Sequence, residues 1–110
     1  MRETAKEVNE ALRAAKQWMQ QWEKKMPKPV TGALRVWWIA QVPADAFRVP
    51  VSSLSEAKLL LKTFAAYDFY QLANHIKGDF SNAGGLEQFN GNDWEDWENP
   101  ETGESIDDLL

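Results

Sequence analysis

An α+β fold is what the sequence predicts: a small antiparallel sheet of ββαββ type, one main helix packed on it, and an added N-terminal helix. Three observations lead there. Apolar residues recur at helical spacing in two stretches, residues 4–26 and 54–76. Short β-rich runs, "VWWI", "FRVPV", "LEQFN" and "WEDWE", stand between and after them, set apart by Pro, Gly and Asn. At 110 residues, with 44% hydrophobic and 12% aromatic content, the chain is the size of one small domain with a single core. Helix layered on sheet is the arrangement that buries both apolar faces.

The first helix opens on a capping box, Thr4 with Glu7, and is stopped by Pro27 and Pro29. Its seam is Ala5, Val8, Leu12, Ala15, Met19, Trp22 and Met26, at alternating three- and four-residue steps. Small Ala5 and Ala15 weaken a coiled coil, and Trp22 is awkward in a narrow dimer. Docking onto the protein's own body, or onto that of a second copy, is therefore favoured, with Leu12, Met19 and Trp22 as the contact residues. Residues 1–28 form this amphipathic helix, and 29–110 an α+β domain ending in an acidic hairpin and tail.

Val36 to Ile39 make the first strand. In "FRVPV", Phe47, Val49 and Val51 share one face, and Pro50, which cannot donate to a ladder, marks an edge or an end. Ser53 with Glu56 reads as a second capping box, opening the main helix. Its buried face is traced by Leu54, Ala57, Leu60, Leu61, Phe64 and Ala65. Asp68 is expected to start a second turn or short helix, continued by Phe69, Leu72 and Ile76. "GDFSNAGG" reads as a loop, its glycines turning into the next strand. "LEQFN" and "WEDWE" pair as a hairpin across "NGND", and "NPETG" is another turn. "ESIDDLL" is either one helical turn capped by Ser105 or disordered. Of the adjacent Trp37 and Trp38, one belongs to the core; the other lies under the added helix or on the surface. Trp94 and Trp97 point to opposite faces unless a bulge intervenes.

The chemistry on offer is sparse. No cysteine is present, which excludes disulfides, thiolate nucleophiles and Cys-based zinc sites. The single histidine, His75, sits at a helix end with no metal-ligand spacing around it. "NAGG" precedes a strand where a phosphate loop would open a helix, and "NGNDWEDWE" lacks the calcium-loop spacing. Glu95 and Glu98 have too small a domain around them for a glycosidase cleft. The expectation is a protein that is not an enzyme and takes no metal or cofactor. No run of about 18 apolar residues and no apolar leader stretch appears, so a cytoplasmic location without membrane contact is expected.

Charge is distributed unevenly. Residues 1–28 carry seven bases and four acids, residues 29–77 five and three, and residues 78–110 no base and ten acids. Those ten are Asp79, Glu87, Asp93, Glu95, Asp96, Glu98, Glu101, Glu104, Asp107 and Asp108. Such patterning speaks to partners rather than to fold. The acids from Asp93 to Asp108, with Trp94 and Trp97 among them, form the candidate partner-binding surface.

From about Val36 to Leu110 the sequence resembles small acidic proteins of bacteriophages and other mobile elements. The resemblance is carried by "YDFYQLANHIK", "SNAGGLE" and the closing "ETGESIDDLL". The first helix lies outside it. It implies a mobile-element setting inside a bacterial host cell, in which small acidic proteins counter host defence, and it supplies no catalytic residues. Two readings follow. In the first, the acidic surface imitates nucleic acid and occupies the basic groove of a host protein, as an anti-CRISPR or anti-restriction inhibitor would. In the second, the chain is a homodimeric adaptor that pairs its basic first helix with its acidic end. Direct nucleic-acid binding is disfavoured, because the bases of residues 1–28 are interspersed with Glu3, Glu7, Glu10 and Glu23.

Overall fold

The computed structural model describes residues 4–76 and 81–110. Its elements are α1 (Ala5–Lys25), β1 (Leu34–Ile39), β2 (Phe47–Val51), α2 (Leu54–Ala73), β3 (Ala83–Phe89), β4 (Trp94–Asp96) and a short 3-10 helix, Ile106–Leu109. All strand pairs are antiparallel in the order β2-β1-β3-β4, so the α+β expectation holds and Pro50 does lie on an edge strand.

Register decides which side chains meet. Val36 stands opposite Val49 on one side and Leu86 on the other, and Leu34 opposite Val51. Alternation then puts Leu34, Val36 and Trp38 on one face, and α2 covers that face with Ala57, Leu61 and Phe64. The ladder runs one residue beyond β4, where Trp97 N–H donates to Leu86 O at 2.9 Å, and Trp97 joins the core with Ile106. The opposite face carries Arg35, Trp37, Glu87 and Trp94. Arg35 Nε pairs with Glu87 Oε1 at 2.9 Å, and its guanidinium lies 4.0 Å over the Trp94 ring.

Four expectations are corrected. α2 is one unbroken helix through Asp68, because that carboxylate is buried and accepts a hydrogen bond from Asn82 Nδ2 at 2.5 Å. The glycines of "NAGG" are strand, not turn: Gly84 and Gly85 lie opposite Trp38 and Trp37, whose rings fill the space of the missing β-carbons. At the start of α2, Ser53 Oγ does accept from Glu56 N–H at 3.1 Å, but the Glu56 carboxylate bonds the Ser52 hydroxyl, so the box is half made. The buried face of α2 is narrower than expected. Ala57 and Leu61 are buried, Leu60 and Phe64 half-buried, and Phe69 and Ile76 exposed.

α1 carries the full capping box, Glu7 N–H to Thr4 Oγ1 at 3.2 Å and Thr4 N–H to Glu7 Oε2 at 3.1 Å, yet none of its residues is buried. Its last turns alone grip the body. Trp22 Nε1 donates to Arg48 O at 3.1 Å along β2, and its ring stacks on Phe47 with centroids 5.5 Å apart. The rest projects, giving a molecule 55 × 32 × 21 Å. Among the described residues no helix is long and apolar enough to cross a membrane.

Candidate acidic interface

β4 is the end strand of the sheet, and its Glu95 and Asp96 are exposed. Two turns fix it. In the first, Asn90 Oδ1 accepts from Asn92 N–H at 2.9 Å and Asp93 N–H at 2.8 Å, while Asn90 N–H donates to Asp93 O at 3.0 Å. Gly91, at φ +106°, supplies the conformation that closes the turn. In the second, Glu98 bridges Ser105, Asn99 N–H donates to Glu104 O at 2.8 Å, and Asn99 Oδ1 accepts from Glu101 N–H at 2.9 Å. Of the two alternatives for "ESIDDLL", the structure takes the helical one. Buried Ile106 anchors it, and the Asp108 carboxylate accepts from Ser105 N–H at 3.0 Å.

On this frame Asp93, Glu95, Asp96, Glu98, Glu101, Asp107 and Asp108 are exposed and Glu104 is half-buried. Asp79 lies outside the described residues. Glu87 is set apart from the array, since Arg35 holds it at 2.9 Å and Arg48 approaches at 4.0 Å. Among the described residues no acid from Asp93 to Asp108 is ion-paired to Lys or Arg. The pleat splits the β4 acids. Glu95 lies opposite Gln88 and Asp96 opposite Glu87, so the two project from different faces, and Glu95, Asp96, Glu98 and Gln88 line an open groove around the edge.

The two tryptophans of the cluster divide as strand alternation requires. Trp97 is core, 7% exposed. Trp94 is half-buried on the opposite face, between Arg35 and Phe89, whose ring centroid is 5.3 Å away. What the sequence reading missed is the supporting cast: Glu87 as an ion-pair partner, Asp108 as a cap, and Asn90 and Asn99 as turn clamps. Asn directly before Gly91, and Asn99 four residues before Gly103, were the available signals.

The helix residues also separate. Met19 and Trp22 are half-buried against the body, whereas Leu12 is 52% exposed. At about 100° per residue, Lys6, Arg13 and Lys24 fall on the side of α1 away from the Leu12–Met19–Trp22 stripe. His75 is exposed in the left-handed region at φ 57°, where it terminates α2. Among the described residues no cluster of three metal-ligating side chains occurs.

Known proteins bear on this arrangement. The model of the family "Superinfection exclusion gene product 17" matches residues 33–110, from the approach to β1 to the end of the chain, leaving α1 outside. The "Superinfection exclusion protein" of Salmonella phage P22 is 46% identical over 56 residues, which is 51% of this chain and 54% of that protein. The chain thus spans about half the length of the curated relative it matches. No solved structure matches. With the whole sheet, α2 and the acidic hairpin inside the matched span, the chain belongs to the superinfection exclusion gene product 17 family.

Proposed function

We propose that this chain serves superinfection exclusion as a non-enzymatic binding protein of the host cytoplasm, with its acidic C-terminal unit occupying the basic nucleic-acid groove of a host protein. The action would be of anti-restriction or anti-CRISPR kind. The observation that carries this reading is the set of seven exposed carboxylates on an ordered frame, none ion-paired to Lys or Arg among the described residues. Proteins bind duplex DNA largely by placing Lys and Arg on its phosphates, so an unpaired array of carboxylates meets the same cations. Order matters because a flexible tail would lose conformational entropy on binding, and this frame has lost it on folding. Glu95 on one face of β4 and Asp96 on the other, with Glu98 close by, put three of these carboxylates around the open edge of the sheet, the acidic rim, where cationic side chains can reach them from either side.

The test is a fourfold reversal, Asp93→Lys, Glu95→Lys, Asp96→Lys and Glu98→Lys. It should leave the melting temperature nearly unchanged, since exposed charges add little to stability. It should abolish exclusion, measured by plating a second phage on cells that express the protein. Host protein captured by the unaltered chain should be displaced by duplex DNA and released as salt rises. Full exclusion by a well-folded reversal variant would rule the acidic rim out as the working surface.

A further inference from the structure

Two apolar faces of this chain are uncovered, and they complement each other. On α1, every residue from Ala5 to Trp18 is exposed, including Val8 at 48% and Leu12 at 52%. On α2, the side turned away from the sheet carries Leu59, Tyr67 and Tyr70, exposed at 67%, 58% and 57%. Apolar helix faces of this kind mark an interaction surface. The α1 stripe is continuous with the contact already made, since Val8 and Leu12 lie in line with Met19 and Trp22 at about 100° per residue.

The flanking charges specify how the two faces fit. Glu7 and Lys16 border the α1 stripe on opposite sides; on α2, Lys62 and Glu56 flank Leu59, about 60° to either side of it. Laid parallel, the helices would set Glu7 against Glu56 and Lys16 against Lys62. Laid antiparallel, they set Glu7 against Lys62 and Lys16 against Glu56, with Leu12 over Leu59. We propose that a second copy of this chain is the occupant: the free half of α1 lies antiparallel on α2 of the other protomer, and the exchange is reciprocal. A two-fold dimer of this form uses each face once per copy and closes. The basic side of α1, with Lys6 and Arg13, stays in water, which separates this dimer from one pairing the basic helix with the acidic end. It does not depend on the reading of the acidic rim.

Sedimentation velocity on the full chain over a range of concentrations tests it. The unaltered protein should be dimeric, and Leu12→Glu and Leu59→Glu should each give monomer. Both sites are exposed, so folding survives, which circular dichroism checks. Lys16→Glu and Glu56→Lys should each weaken the dimer by about tenfold, and the double variant Lys16→Glu with Glu56→Lys should recover the original affinity. A protein monomeric at every concentration would overturn the proposal. So would a dimer untouched by Leu59→Glu, which would place α1 against α1, or a double variant as weak as the singles.

Discussion

Trp38 and Gly84 face each other across the β1–β3 ladder, and the indole of Trp38 occupies the space where residue 84 would carry a β-carbon. One position along, Trp37 does the same to Gly85 from the other side of the sheet, with Nε1 only 2.6 Å from the place of the missing carbon. Neighbouring strand residues point to opposite faces, so the tandem tryptophans and tandem glycines fill both sides at one level.

Gly84→Ala should therefore destabilise the protein by about 1–3 kcal/mol. Its new carbon would collide with Trp38 and also meet Leu61 Cδ2 at 3.2 Å, and α2 holds both in place. Gly85→Ala should cost less, because Trp37 lies on the face away from α2 and, unlike Trp38, is not packed against the core. Urea denaturation of the two variants measures the difference; equal losses would show the two indoles to be equally confined.

α2 ends on a residue that pays a conformational cost. His75 sits at φ 57°, with its N–H donating to Leu72 O at 3.2 Å and that of Ile76 to Gln71 O at 2.9 Å, the pattern of a left-handed helix terminator. Glycine is the residue suited to that position. His75→Gly is expected to raise stability by about 0.5–1 kcal/mol, read as a higher melting temperature, and a fall would mean that the imidazole makes a contact worth more than the strain.

Asp107 and Asp108 are adjacent and both exposed, yet only Asp108 is tied to the backbone of Ser105. Asp108→Ala should lose about 0.5–2 kcal/mol as a lost cap, and it should speed amide exchange at Ile106. Asp107→Ala should leave both quantities near their starting values. Similar behaviour of the two variants would mean that charge, rather than the cap, holds the terminus.

A chain starting at Val30 should fold. No residue of α1 is buried, and what is lost is the Trp22–Arg48 hydrogen bond with the ring stacking of Trp22 on Phe47. The expected loss is about 1–2 kcal/mol, with the far-ultraviolet spectrum of sheet and α2 retained. An unfolded spectrum would make α1 part of the folding unit.

By itself the sequence determined what short-range chemistry controls. The Thr4–Glu7 cap, the stop at Pro27, the edge position of β2 through Pro50, the "NGND" hairpin and the acidity of the last third were all legible, because each depends on neighbours a few residues away. What only the tertiary structure decided depends on partners far along the chain. Periodicity could not tell that "NAGG" is strand, since a glycine pair reads as a turn until two indoles from β1 are found filling it. Nor could it show that Asp68 belongs inside an unbroken helix, because the group that satisfies its carboxylate, Asn82, lies beyond the end of α2. The acids of β4 were visible as a cluster, but their division between two faces, with Trp97 in the core and Glu87 held by Arg35, follows from a register that is chosen when β3 pairs with β1 and β4 together. Local propensity acts before folding is complete, whereas register is settled by which apolar side chains are buried once the sheet and α2 have closed on each other.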